Sequence, residues 1–185
     1  MFIELTEILR CPRPHEQSYV ICVPMEMNGR DVVRGGISCP VCSTDYPIID
    51  GVVRFSAPEA VGRPQGPPLE AATLLGLDGP GGYVLLIGSA ARLADSFRGI
   101  HVVALNAAGQ PSPSVSHTWC RDAVPLRARS VRGAVVGADC PPEEWIPRAA
   151  DAVLPGLRLI AEDEAAPGAG LTALARGAGV TVFQK

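Results

Sequence analysis

Cys11-Pro-Arg-Pro-His15 and Cys39-Pro-Val-Cys42 place soft and borderline metal ligands in two short clusters separated by a spacer of ordinary length. A Cys-x-x-Cys knuckle chelates one ion from a single turn, and Pro40 stiffens that turn. Two such clusters hold one tetrahedral zinc between short loops. Cys11, Cys39 and Cys42 supply three ligands. The proposed fourth is His15, four residues beyond its cysteine in a Cys-x₃-His spacing; the competing candidate is Cys22, which sits inside the apolar run Tyr19-Val-Ile-Cys-Val23. A closed site of this kind is a scaffold, so any chemistry has to come from elsewhere.

The chain has 185 residues and is 47% hydrophobic and 19% charged, enough to bury a core in one domain or two small ones. A net charge of −3 argues against a nucleic-acid surface. All sixteen basic residues but Lys185 are Arg, so they do not form a chosen stripe. The longest apolar run, Tyr83-Val-Leu-Leu-Ile87, is far too short to span a bilayer. Met1-Phe-Ile-Glu-Leu-Thr-Glu7 carries acids where a signal peptide carries positive charge, which predicts a cytoplasmic protein. In that compartment six cysteines read as metal ligands and buried thiols, not as disulfides.

Leu5, Ile8 and Leu9 have helical spacing ahead of Cys11-Pro12, which stops the helix. Residues 19–23 and 31–34 read as strands joined by a turn at Asn28-Gly29-Arg30, and residues 48–55 as another strand. Pro58, Gly62, Pro64, Gly66, Pro67 and Pro68 break both helix and sheet and mark a linker. Beyond it, residues 83–87, 100–105, 131–136, 157–161 and 180–183 read as strands. Residues 69–75, 90–97, 143–154 and 171–178 read as helices. Alternation of this kind predicts a parallel α/β sheet.

Ile8-Leu9-Arg10-Cys11-Pro12, Cys39-Pro-Val-Cys42 and Tyr46-Pro-Ile-Ile-Asp-Gly-Val52 together resemble the small zinc-ribbon proteins that bind and activate methyltransferases of tRNA, ribosomal RNA and release factors. The resemblance covers about the first 55 residues. It implies a ribbon that stabilises a methyltransferase and does no chemistry. Where many members carry a second close Cys, this chain has Pro14-His15.

The second half resembles a class I methyltransferase, the fold that binds S-adenosylmethionine. Tyr83-Val-Leu-Leu-Ile-Gly88 stands for its first strand and glycine loop. Asp122-Ala-Val-Pro-Leu126 stands for its adenine-contacting segment, Val131-Arg-Gly-Ala-Val-Val136 for its fourth strand, and Val153-Leu-Pro-Gly-Leu-Arg-Leu-Ile160 for the turn into its fifth. The resemblance assigns Gly88, Asn106 and Asp122 to the cofactor. Gly88 is followed by Ser89-Ala-Ala-Arg92, so side chains occupy the approach that glycines would leave open. Asn106 replaces the acid that would hold the ribose and lacks its charge. With two of three determinants weakened, S-adenosylmethionine is expected to bind poorly. The terminal hairpin of that fold is expected to be missing.

Other reactive residues carry little. Asp139-Cys-Pro-Pro142 reads as a turn that starts a helix, since Cys140 and Glu143 interrupt the amino-methyltransferase motif it approaches. Cys120 and Cys140 have no base nearby in sequence, and His101 and His117 read as packed or surface residues.

The expected fold is therefore α/β in three parts. Residues 1–56 form a small zinc ribbon, 57–68 a Pro/Gly linker, and 69–185 a truncated, Rossmann-like, degenerate methyltransferase domain with a mostly parallel sheet and flanking helices. The expected function is a non-catalytic zinc-binding interaction or regulatory module with a protein partner, such as a methyltransferase or a second copy. The alternative is an active S-adenosylmethionine-dependent methyltransferase whose activator ribbon is fused in cis.

Overall fold

A computed structural model describes residues 1–59 and 69–185. The linker positions Gly62, Pro64, Gly66, Pro67 and Pro68 lie outside the described residues. Among the described residues eleven strands follow one another: β1 (Ile21–Asn28), β2 (Asp31–Ser38), β3 (Asp45–Ile49), β4 (Val52–Arg54), β5 (Tyr83–Ile87), β6 (His101–Leu105), β7 (Val115–Trp119), β8 (Val131–Val136), β9 (Val153–Ala161), β10 (Thr172–Gly177) and β11 (Val180–Gln184). The α-helices are α1 (Ala71–Leu74) and α2 (Pro142–Ala152), and 3₁₀ helices cover Ile3–Glu7 and Gly88–Ser96.

All eleven strands join one sheet in the order β1-β2-β3-β4-β7-β6-β5-β8-β9-β11-β10. Its middle is parallel, from β4 through β7, β6, β5 and β8 to β9. An antiparallel meander, β1 to β4, closes one end, and antiparallel β11 and β10 close the other. The join between the two halves is short: Val52, Val53 and Arg54 align with His117, Thr118 and Trp119.

The central strands are apolar because both of their faces are covered. In β5, Val84, Leu85, Leu86 and Ile87 are all fully buried. On one face Leu85, Ile87 and Leu105 share a core with Leu5, Leu9, Ile37, Ile48 and Val53 of the ribbon and with Trp145 and Ile146 of α2. On the other, Val84, Leu86 and Val102 pack against Ala71, Leu75, Leu93 and Phe97. Leu5, Ile8 and Leu9 are buried as their spacing implied, although the segment winds as 3₁₀.

The expected truncated, Rossmann-like α/β domain with flanking helices is not what forms. The molecule is mostly β, a mixed sheet of eleven strands, and among the described residues only α2 extends beyond about one turn of α-helix. Three local causes account for the difference. Of residues 90–97, read as helix, all but Phe97 lie in a tight 3₁₀ segment that begins at Gly88, where φ is +62° and the Ser89 amide is drawn onto the Asp139 carboxylate. Residues 171–178, read as helix, hold strand β10. Ala178 and Gly179, at φ +51° and +73°, make a two-residue turn that pairs Gly177 with Val180. The terminal hairpin expected to be missing is thus present, with β11 antiparallel to β9. Residues 115–119 form a strand that alternation did not reveal, because Ser116, His117 and Thr118 are all buried. No helix among the described residues is long and apolar enough to cross a membrane.

Candidate metal centre

The knuckle is a closed turn. The Cys39 amide donates to the Thr44 carbonyl at 3.0 Å, and the Ser43 amide donates to the Cys39 carbonyl at 2.9 Å. Ser43 takes φ +54° to complete it. This turn aims Cys39 and Cys42 at the segment leaving the first 3₁₀ helix, which carries Cys11 and His15. The ligand atoms of Cys11, His15, Cys39 and Cys42 all lie within 4.8 Å of one another. Cys22, the other candidate for fourth ligand, is not in this group. It lies half-buried in β1, where burial pushes its thiol pKa up.

The distances suit one tetrahedral zinc. Zn–S bonds of about 2.3 Å and a Zn–N bond of about 2.0 Å put sulfurs about 3.8 Å apart and sulfur and nitrogen about 3.5 Å apart. Cys11 Sγ and Cys42 Sγ are 3.7 Å apart, and Cys39 Sγ lies 3.4 Å from His15 Nε2. His15 Nδ1 is 2.7 Å from the Glu16 carbonyl, which can only accept. The ring proton therefore sits on Nδ1, leaving the Nε2 lone pair facing the sulfurs.

Outer groups stabilise the thiolates. The Thr44 hydroxyl lies 3.3 Å from Cys42 Sγ and is the main reason the Cys42 thiol is held down to about 6. The Tyr46 phenol lies 3.1 Å from Cys11 Sγ. Burial, then Cys11 itself, raises the phenol's pKa, so it keeps its proton and donates to the sulfur. Ligand spacing says nothing of this second layer. The sequence signal for it is two hydroxyl residues following the knuckle at Thr44 and Tyr46. Three thiolates and one imidazole fill a tetrahedron, which leaves no position for a reacting water.

Of the three residues assigned to the cofactor, Asn106 and the side chains that cover Gly88 line one recess, and Asp122 lines another. A Cβ built on Gly88 would lie 2.5 Å from both Asp139 Oδ1 and Cys140 Sγ, so side chains already cover that glycine. The first loop amide, Ser89 N, donates to Asp139 Oδ1 at 2.8 Å. Asn106 spends its carboxamide on one backbone residue: Nδ2 donates to the Cys120 carbonyl at 2.8 Å, and Oδ1 accepts the Cys120 amide at 2.9 Å. Asn106 does line a recess of about 300 Å³ with Ser56, Trp119, Asp139, Cys140 and Trp145. Asp122 is exposed and lines a separate recess beside Arg148 and Asp151.

The other reactive candidates are quiet. Burial pushes Cys120 up to about 11 and Cys140 up to about 12, so neither is a thiolate near neutrality. His101 is stacked on Phe2 with ring centroids 4.6 Å apart and bonded to Ser116 Oγ at 2.9 Å, and burial lowers its pKa to about 4. His117 is buried and its pKa is lowered for the same reason. Compared with known proteins, the chain matches no family model and no curated sequence.

Proposed function

We propose that the chain is a non-catalytic zinc-binding interaction module, in which a structural zinc in the ribbon organises a surface for a protein partner. The observation that carries this reading is the convergence of Cys11, His15, Cys39 and Cys42 at tetrahedral spacing with a complete donor set. A zinc held this way contributes folding energy and offers no site for chemistry. The parallel pairing of β4 with β7 supports a ribbon that already holds part of its own chain as a partner. In this reading the second half is a pseudo-methyltransferase. Asp139 and Cys140 cover Gly88, and Cys120 occupies the Asn106 carboxamide, so two of the three groups assigned to S-adenosylmethionine are already engaged within the chain.

The rival reading, a working methyltransferase with its activator in cis, draws support from the recess beside Asn106, Trp119 and Trp145. Calorimetry separates the two. The module reading expects no heat of binding for S-adenosylmethionine. A Kd tighter than about 100 μM, a free energy near −5.5 kcal/mol, would replace it with the rival. Elemental analysis is expected to find one zinc per chain, and Cys39→Ser to lose it together with much of the ribbon's stability. Unchanged zinc content in that variant overturns the ligand assignment.

A further inference from the structure

Strand β1 turns apolar side chains away from the core. Cys22 aligns with buried Ile37 and packs inward, so Ile21 and Val23 face the opposite side. The register shift between Pro24 and Glu26 keeps Met25 on the side of Val23. Ile21, Val23 and Met25 are 53, 52 and 83% exposed. Across the ribbon Val23 aligns with Gly36, and Gly36 with Pro47. A Cβ at Gly36 would meet only the Tyr46 carbonyl, at 3.8 Å, so the backbone there lies bare between two apolar walls. Ile49, 38% exposed, extends the wall on β3.

We propose that this face is the interface of a homodimer, in which two copies of the chain pack ribbon against ribbon across a two-fold axis. Size is the first argument. With Tyr19, which is 64% exposed at the head of the strand, the exposed parts of these side chains amount to about three whole large residues. At roughly 150–250 Å² each, that is roughly 500 Å² on one chain. Two such patches approach the roughly 1,200 Å² at which stable interfaces begin, before their polar rims are counted.

Charge is the second argument. Glu26 stands opposite Arg34 in the register, both are exposed, and among the described residues neither has an ion-pair partner. A two-fold axis sets each Glu26 against the partner's Arg34 and matches the apolar trough to itself without further selection. Pro24, which has no N–H to offer, and the bulge at Met25 interrupt the outward hydrogen-bonding row. The copies therefore meet face to face, and β1 does not extend the sheet.

Sedimentation of the full zinc-loaded chain tests this. A dimer with a Kd below about 100 μM is expected, and Met25→Lys should weaken it at least 100-fold while zinc content stays as in the wild type. Leu174→Lys, on strand β10 at the far edge of the sheet, should leave the dimer intact. Glu26→Arg and Arg34→Glu should each disrupt it, and the double exchange should restore it. A wild-type monomer at 100 μM overturns the proposal. So does a dimer indifferent to Met25→Lys, a dimer dissolved by Leu174→Lys, or a charge exchange without rescue. Because zinc is assayed in every variant, failure here is distinguishable from failure of the metal assignment.

Discussion

The Tyr46 hydroxyl reaches Cys11 Sγ at 3.1 Å across 35 residues of sequence, which ties the strand after the knuckle to the ligand that precedes it. A proton donor on a metal-bound thiolate disperses its charge and fixes its direction. Tyr46→Phe keeps the ring against Phe55, 4.8 Å away between centroids, and deletes only the donor. Zinc affinity, measured by chelator competition, is expected to fall about 10–100-fold with the fold intact. An unchanged affinity would show that the phenol does nothing for the metal.

Gly88 is expected to tolerate no side chain. An alanine there would press its Cβ to 2.5 Å from Asp139 Oδ1 and Cys140 Sγ while holding φ at +62°. Gly88→Ala is expected to cost at least about 2 kcal/mol, combining overpacking with left-handed strain. Urea unfolding gives the value, and a loss below about 0.5 kcal/mol would mean that the covering side chains move aside easily.

Arg92 and Glu162 form a two-pronged pair, at 2.7 and 2.6 Å, and the Glu162 side chain is fully buried. Removing only the cation strands that carboxylate. Arg92→Met is expected to destabilise by about 3–5 kcal/mol, while Arg92→Met combined with Glu162→Met recovers most of the loss. Urea midpoints of the single and double variants report it, and equal losses in both would refute the pairing as the cause.

Acid should weaken the contact between the chain's first residues and the sheet. His101 is stacked on Phe2 and bonded to Ser116, whose oxygen already accepts the Phe2 amide at 3.0 Å. Asp31 and the amino terminus act on it with opposite signs, and burial dominates, lowering its pKa to about 4. The unfolded chain takes up this proton near pH 6.5, but the folded chain refuses it until about pH 4. The contribution to stability is therefore constant above pH 6.5, falls between 6.5 and 4 by at most about 1.4 kcal/mol per pH unit, and levels off below. Buried His117 acts in the same direction. His101→Gln should flatten the slope in unfolding titrations, and an identical slope would assign the acid sensitivity elsewhere.

The metal centre was the most legible part of the sequence, because ligand chemistry and knuckle spacing are local. Cys11, His15, Cys39 and Cys42 could be read without knowing the fold, although choosing His15 over Cys22 needed the geometry. The buried runs of β5, β6 and β8 were legible for a similar reason, since strands covered on both faces are continuously apolar. The class of fold was not. Thr172-Ala-Leu-Ala-Arg-Gly177 has good helix formers, and only pairing with β11 through Ala178-Gly179 makes it a strand. Residues 115–119 lack apolar alternation because Ser116 is buried by its bonds to the Phe2 amide and His101, and His117 is buried beside Ala107, both tertiary effects. The covering of Gly88 depends on Asp139, fifty-one residues away, and no local pattern announces it.

The three-residue seam between β4 and β7 has a mechanical consequence. Ser56 follows β4 almost at once, accepts the Arg121 amide and forms part of the wall of the recess beside Asn106. The strand that leaves the ribbon therefore arrives directly at that wall. Metal load in the first sixty residues and the shape of the hollow in the second half share one length of backbone. Stripping the ion would slacken that tether, and the earliest sign should be faster amide exchange at Val52, Val53 and Arg54.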